Sequence, residues 1–425
     1  MQTVGPPSTD SRSQFRQGSD DFDQGQFLIH EQAISSTRFT SQQVRNRSTL
    51  GAISMPVPAT EHRYSRDTTL RIYRHLPPEP FTGYYGPSPR PPTDWSRWEG
   101  KPSWEIDRFE LALTNPPLET AAPGPLERTL TITGVKTIRE RGGAHVVTCF
   151  LDGDQSAEYV AKIYDGVDYP LGPREPDEPG CMYYADKDYS IEAWAYRTMQ
   201  PLIGGTFVPA YHGSWTFSVS RNQPGSQYQQ QRWVRMILIE LVQGDCMLNL
   251  IKHAEDINGQ TTDFTLLPPE SFRIRVLQNV FEARLFIWWC AAVKHEDVEP
   301  RNVMVKPDGS VVLIDFNHAY IYDFAAAPGT HPRERNPTSL PPSPIYHYWV
   351  DFCGSIWRHW MPDSWLEDKA LATAWLVNTY RNDARFAPPP EWWLDWSQHK
   401  REGEERLRLL ESLGRKPAGV ENTGA

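Results

Sequence analysis

Cysteine is scarce in this chain, and its five cysteines form no pattern. Cys149, Cys181, Cys246, Cys290 and Cys353 are scattered over 425 residues without a Cys-x-x-Cys pair. An odd, scattered set disfavours both a zinc cluster and a disulfide framework. We therefore expect reduced thiols and an intracellular protein, either cytoplasmic or nuclear.

Long hydrophobic runs and an excess of positive charge are missing as well. No uninterrupted apolar stretch is long enough to cross a bilayer, and the amino terminus lacks a basic segment followed by an apolar core. The sequence therefore predicts neither a membrane span nor secretion. A net charge of -10 and a pI near 5.7 disfavour a general nucleic-acid binder. Neither nucleic acid nor membrane is expected as a partner, and composition leaves the oligomeric state open.

The amino-terminal region has too few apolar side chains to build a core. Residues 1–100 are rich in Ser, Gln, Arg and Pro, so they are predicted to be mostly disordered. Residues 101–125 are a linker or a docking segment. The aromatic and aliphatic side chains between Trp95 and Leu113 would dock as a strand or short helix, or the stretch would run along the surface.

Chemistry-bearing residues are concentrated around one predicted hairpin. The apolar runs 303–305 and 311–314 flank a Pro-Asp-Gly turn signal and should pair as antiparallel strands. With Lys306 facing Val311 across a four-residue loop, Asn302 would lie opposite Asp315, and the two side chains would be about 5 Å apart.

An amide and a carboxylate side by side are oxygen ligands that Mg²⁺ accepts. His295, Asp297 and Asn302, followed by Asp315-Phe316, resemble the His-x-Asp-x-x-x-x-Asn and Asp-Phe-Gly motifs of the protein-kinase-like superfamily, with Asn317 in place of the glycine. The resemblance implies that Asp297 is the catalytic base, accompanied by His295. It also implies that Asn302 and Asp315 hold Mg²⁺ against the phosphates of ATP.

Two other interpretations of these residues exist. Individually, Asp297, Asn302 and Asp315 could satisfy loop backbone, and His295 could be a hydrogen-bonded core histidine. His295-Glu296-x-x-Glu299 also resembles a zinc-binding helix. Pro300 argues against that helix, because the residue before a proline is pushed out of the helical region.

The upstream sequence offers the lysine and glutamate that such a site needs. Strands are predicted over 130–138, 145–151 and 158–164, and the third carries Lys162. A helix beginning near Asp188 would carry Glu192 in its first turns. The resemblance implies that Glu192 pairs with Lys162, which contacts the ATP phosphates. Alternatively, Lys162 is a surface lysine and Glu192 complements the helix dipole.

Two further parts of a nucleotide site follow from the same resemblance. Gly142-Gly143 lie at the tip of the first hairpin, where a phosphate-binding loop is expected. After strands over 208–215 and 234–242, the backbone of Glu240, Leu241 and Val242 would bind adenine. A long helix from Glu270 to about Ala292 has an apolar stripe and would support the loop at His295.

The chain also departs from the kinase pattern. Three spaced glycines are expected where only Gly142-Gly143 occur, and Glu296 replaces an arginine that reads phosphorylation of the activation segment in many kinases. No Ala-Pro-Glu follows Asp315; a proline-rich stretch and a tryptophan-rich region, 346–396, come instead. The chain thus resembles divergent members, including uncharacterised fungal kinase-like proteins and small-molecule phosphotransferases.

We predict an α+β, two-lobed protein-kinase-like fold, with a small antiparallel-sheet N-lobe, one main helix and a mainly helical, abbreviated C-lobe. The N-lobe would span 126–244, the C-lobe 245–400, and 401–425 would be a helix end and tail. The expected function is transfer of the γ-phosphoryl group of ATP to a hydroxyl acceptor, either a protein or a small molecule. A catalytically weak or inactive binding module is the alternative.

Overall fold

A computed structural model gives the architecture of the chain. It describes eight stretches: 63–120, 126–137, 142–172, 180–222, 229–254, 263–326, 340–345 and 355–388. Cys353, the predicted hairpin residues 139–141, the two ends of the tryptophan-rich region (346–354 and 389–396) and the 401–425 tail lie outside the described residues.

Six antiparallel strands close into a barrel in the order β1-β2-β3-β4-β6-β5. Closure comes from β1, which pairs with β2 on one side and with β5 on the other. The strands are β1 (Thr69–Arg74), β2 (Glu127–Thr137), β3 (His145–Leu151), β4 (Asp154–Tyr164), β5 (Tyr211–Asn222) and β6 (Gln229–Glu240).

The predicted two-lobed kinase-like fold is wrong. A lobe of that kind has an open sheet, whereas here the sheet has no free edge among these strands, because β1 joins β2 to β5. The described part of the chain after the barrel is not mainly helical either. The described residues contain five α-helices, and only two of them, with 23 and 22 residues, are long.

The barrel interior follows from period-two alternation along the strands. In β4, Ala161 and Ile163 are fully buried inside the barrel, so Lys162 between them faces outward. The interior side chains are Tyr64, Ile72, Leu130, Ile132, Val147, Cys149, Leu151, Ala161, Ile163, Trp215, Phe217, Val234, Met236 and Leu238.

A long helix covers the outer face of the barrel. It runs from Cys181 to Ile203, and Tyr189, Glu192 and Tyr196 lie on its buried side. Short helix α1 (Arg108–Thr114) precedes it in the chain, so the long helix is α2. Since α2 begins at Cys181, Glu192 lies about three turns inside it rather than in its first turns. Glu192 is therefore too far from the helix end to complement the dipole.

The chain then builds two small sheets around a second long helix. Residues 241–244 connect β6 to β7, which pairs with β9, and β9 pairs with β10. Helix α3 leads into β8, which pairs with β11. The bounds are β7 (Asp245–Cys246), α3 (Glu270–Ala291), β8 (Val293–Lys294), β9 (Val303–Val305), β10 (Val311–Leu313), β11 (Tyr320–Ile321), α4 (Asp363–Glu367) and α5 (Lys369–Tyr380).

The segment between β1 and β2 docks on the folded core. Trp98, Ile106 and Leu111 are buried, and Arg108 donates hydrogen bonds to the carbonyl groups of Val167 and Tyr169, both at 2.7 Å. Of the alternatives for this stretch, docking with a short helix is the one observed. Within the described residues, no helix has the length and apolar character required to cross a membrane.

Candidate functional site

Lys162 lies at the centre of a partly buried charge cluster. Its Nζ is 2.5 Å from Glu192 Oε2 and 2.5 Å from Asp315 Oδ1, so one ammonium bridges two carboxylates. Its side chain is only 12 % exposed. The structure thus brings together Lys162 and Glu192, which we expected to pair, and adds a direct contact with Asp315. Lys162 is not an exposed surface lysine.

Glu192 connects three parts of the molecule. Its Oε2 also accepts a hydrogen bond from the Tyr164 hydroxyl at 2.7 Å, and its Oε1 accepts one from the backbone N–H of Phe316 at 3.3 Å. Helix α2 is thereby bonded to β4 and to the residue that follows Asp315. Breaking a buried charge pair by removing one partner typically costs about 3–5 kcal/mol.

The charges of this cluster shift the pKa values of Glu192 and Lys162. Burial, together with the neighbouring Asp315 carboxylate, raises the pKa of Glu192 to about 7. Burial alone would lower the pKa of Lys162, but attraction to Asp315 and Glu192 outweighs it and raises that pKa. The lysine therefore stays charged, and the cluster carries up to one net negative charge at neutral pH.

Asp315 has a backbone conformation that residues with a Cβ seldom adopt. Its φ is +67°, in the left-handed region that costs about 1 kcal/mol or more for a residue with a Cβ. Phe316 next to it is fully buried, with its ring against Tyr196 and His295 at centroid distances of 5.3 and 4.3 Å. The buried phenylalanine holds the strained aspartate in place.

The predicted register of the 303–313 hairpin is wrong by one residue. Val305 pairs with Val311, and the N–H of Ile314 bonds to the carbonyl of Asn302 at 2.9 Å, so Asn302 lies opposite Ile314. The cause is the turn. Gly309 has φ +85° and Lys306 pairs with Ser310, which makes a three-residue loop instead of the expected four. Asp315 therefore lies one position past Ile314, the residue that faces Asn302.

His295 connects the two motifs through its ring. It is 2 % exposed, and its Nδ1 accepts a hydrogen bond from the Asp297 N–H at 3.2 Å. The proton must then be on Nε2, which donates to the Ile314 carbonyl at 2.9 Å. Burial lowers the pKa of His295 to about 4, so the ring is neutral.

Asp297 lies beside Asn302 and an arginine. Asn302 Nδ2 donates to the backbone carbonyl of Asp297 at 2.8 Å and to Asp297 Oδ2 at 3.1 Å. Arg301 also donates to Oδ2, at 2.8 Å, and forms an ion pair with Glu299. Glu299 has extended backbone (φ -126°, ψ 160°), so the zinc-helix interpretation of His295 to Glu299 is excluded.

The donor set matches Mg²⁺ better than a softer metal. Because Asn302 uses its amide nitrogen toward Asp297, its amide oxygen is the atom that can bind a cation, and Asp315 adds a carboxylate. Hard oxygen donors of this kind suit Mg²⁺. No cluster of three His, Cys, Asp or Glu residues that could hold a metal occurs in the described part of the chain. A metal here would therefore need water or a ligand's phosphates to complete its coordination.

The predicted nucleotide-contacting backbone lies at two connections. Gly142 is exposed and Gly143 has φ +126°, in the connection that enters β3. The N–H of Glu240 already donates to the Ala210 carbonyl at 2.8 Å, and its carboxylate accepts from the Ala210 N–H at 2.9 Å. Leu241 and Val242 begin the connection from β6 to β7.

Two residues of the site were not anticipated from the sequence. Tyr164 lies two positions after Lys162 on β4, so strand alternation places both on one face and provides a usable signal. Arg301 is four residues after Asp297, a spacing that brings side chains together on a helix, but this loop is not α-helical. Comparison with protein-family models and with curated proteins finds no match to this chain.

Proposed function

We propose that this protein is an ATP-dependent phosphotransferase that uses Mg²⁺ and transfers the γ-phosphoryl group to a hydroxyl acceptor. The observation that carries the proposal is the Lys162 ammonium held at 2.5 Å by both Glu192 and Asp315. A fixed cation next to a carboxylate that can bind a metal is what binding of a polyphosphate requires. The chemistry does not need a two-lobed fold, because similar sites occur on unrelated folds.

Each residue has a distinct role in the proposed reaction. Asp315 and the amide oxygen of Asn302 would hold Mg²⁺, which neutralises phosphate charge when bound. Lys162, oriented by Glu192, would bind phosphate oxygens. The backbone at Leu241 and Val242 would bind the base, and that at Gly142-Gly143 would lie near the phosphates.

Asp297 would act on the acceptor. Its carboxylate orients the acceptor hydroxyl and takes the hydroxyl proton, while the acceptor oxygen bonds to the γ-phosphorus and the bond from that phosphorus to the ADP oxygen breaks. His295 acts through hydrogen bonds to backbone at Asp297 and Ile314 and so positions the loop. An intracellular location, where ATP and Mg²⁺ are supplied, is part of the proposal.

A transfer assay with Asp297→Asn tests the proposal. ATP labelled at the γ-phosphate is incubated with Mg²⁺ and a panel of proteins and small-molecule alcohols. We expect the wild type to label an acceptor and Asp297→Asn to be slower by about 10²–10⁴-fold, the usual effect of losing a general base. Binding of ATP should be nearly unchanged in this variant, since Asp297 faces the acceptor.

Each other outcome has a definite meaning. Equal transfer rates in the wild type and Asp297→Asn would remove Asp297 from the reaction. Mg²⁺-dependent ATP binding without transfer to any acceptor would favour the inactive binding module. Absence of both binding and transfer would overturn the proposed function.

A further inference from the structure

The segment that follows β1 (residues 75–120) contacts two of the three parts of the chain that carry the charge cluster. On α2, the Trp194 indole donates to the Pro78 carbonyl at 2.8 Å, and Arg90 forms a buried ion pair with Asp186. Trp194 and Asp186 lie on either side of Glu192 in the helix. The same segment also reaches the chain after Asp315, where the Ala326 N–H donates to the Tyr84 carbonyl at 2.9 Å.

Tyr85 makes the most specific of these contacts. Its hydroxyl donates to the Ala319 carbonyl at 2.6 Å and accepts from the Ile321 N–H at 3.0 Å. One side-chain oxygen therefore satisfies two buried backbone groups, as a paired strand would. Tyr85 itself is 5 % exposed and lies on a tight turn closed by a hydrogen bond from the Thr82 N–H to the Gly86 carbonyl at 2.7 Å.

The two backbone groups that Tyr85 bonds are connected to the site. Ala319 closes the turn after Asp315, because its N–H bonds to the Phe316 carbonyl at 3.0 Å. Ile321 belongs to β11, which pairs with β8 immediately before His295. Tyr85 thus fixes the chain that leaves Asp315 relative to the chain that enters the His295 loop.

We infer that Tyr85 is a positioning residue for the phosphotransfer site: its hydroxyl holds the 316–321 turn so that Asp315 faces Lys162 and the metal. This inference rests on the proposed function and assigns a positioning residue to the same site. Asp315 has a left-handed backbone, which persists only where the surroundings impose it. Loss of the Tyr85 hydroxyl leaves two buried backbone groups without this partner, so the turn should open more often.

Hydrogen exchange of the full chain without nucleotide tests the first half of the inference. We expect amides of 316–321 to exchange about tenfold faster or more in Tyr85→Phe, which keeps the ring and removes the hydroxyl. Peptides from β2 and β6 should be unchanged and serve as internal references for folding. Tyr84→Phe is the matched control: Tyr84 is the neighbouring residue, is 40 % exposed, and contributes its backbone carbonyl, which the substitution retains.

The Mg²⁺ requirement for ATP binding tests the second half. In Tyr85→Phe the Mg²⁺ concentration for half-maximal binding should rise about tenfold, and excess Mg²⁺ should restore binding, because a misplaced Asp315 is a weaker ligand. General destabilisation would not produce an effect that depends on Mg²⁺ in this way. Tyr84→Phe should match the wild type in both measurements.

Two results would overturn the inference. One is unchanged exchange of 316–321 in Tyr85→Phe. The other is faster exchange with an unchanged Mg²⁺ requirement, which would make Tyr85 a structural residue only. If the wild type binds no ATP with Mg²⁺, the proposed function fails instead, and the exchange measurement still decides whether Tyr85 orders the turn.

Discussion

At the scale of single residues, the site depends on how one lysine is shared. Lys162 contacts Glu192 and Asp315 at equal distances, and Glu192 is nearly completely buried. Glu192 and Lys162 could be anticipated as partners, because Lys162 lies on the third predicted strand and Glu192 on the helix that follows it, as in the kinase-like pattern. The second contact could not, since it depends on the left-handed backbone at Asp315, which aspartate tolerates but does not require.

We expect the raised pKa of Glu192 to make the proposed ATP binding depend on pH. Burial raises this pKa to about 7, and only the ionised carboxylate holds Lys162 strongly. We expect the affinity of the wild type for ATP to fall as the pH is lowered through about 7. The affinity of Glu192→Gln should not show this decrease. Titrations of both proteins over about pH 5–9 measure it, and parallel profiles would contradict the assignment.

Folding stability should change with pH in the opposite direction. Because the folded-state pKa of Glu192 is above its ordinary value of 4.5, its contribution to stability is full below about 4.5 and is lost as the pH rises through about 7. The melting temperature of the wild type should therefore decrease relative to that of Glu192→Gln over this interval. A difference between the two proteins that does not vary with pH would contradict the shift.

At the scale of elements, short connections determine where the site residues lie. The hairpin after Asn302 was predictable as a hairpin, since apolar runs flank a Pro-Asp-Gly turn. Its register was not, because Gly309 adopts φ +85° and shortens the loop by one residue. A one-residue difference of this kind moves every opposite pair, which is why Asn302 faces Ile314.

The connection from β6 to β7 has no room for a side chain at Gly244. A Cβ at this position would overlap the backbone carbonyl of Val305, which cannot rotate away. Gly244→Ala should therefore lower the free energy of unfolding by about 1–3 kcal/mol, as overpacking usually does. Denaturant unfolding measures this effect. Gly86→Ala is the control, since a Cβ there meets nothing within 4 Å; an equal effect of both substitutions would contradict the packing argument.

At the scale of the whole molecule, barrel closure by β1 separates the observed fold from the predicted one. The other five strands were anticipated in part, and β3 has the predicted bounds. The sequence of β1 does alternate polar and apolar residues, which is a strand signal. It is short and lies in a polar, proline-rich region, whose composition predicts disorder. Pairing with two distant strands is not visible in local sequence.

Closure can be tested by truncating one inward side chain of β1. Ile72 is fully buried in the barrel. We expect Ile72→Ala to lower the free energy of unfolding by about 2–5 kcal/mol, the usual cost of such a cavity. Thr69→Ala, at an exposed position of the same strand, should have little effect in the same denaturant titration. Equal, small effects would show that β1 does not contribute to the core.

The central claim is that Lys162, Glu192 and Asp315 form a binding site for ATP with Mg²⁺, and calorimetric titration of ATP at varied Mg²⁺ tests it most directly. Asp315→Asn is the decisive variant, because asparagine removes the charge yet tolerates the left-handed backbone. Lys162→Met, which removes the proposed phosphate contact, accompanies it. In the wild type we predict that ATP binding depends on Mg²⁺. In Asp315→Asn, the increase in ATP affinity that Mg²⁺ produces should be smaller by at least about tenfold. Binding that is indifferent to Mg²⁺ and unchanged in both variants would contradict the claim.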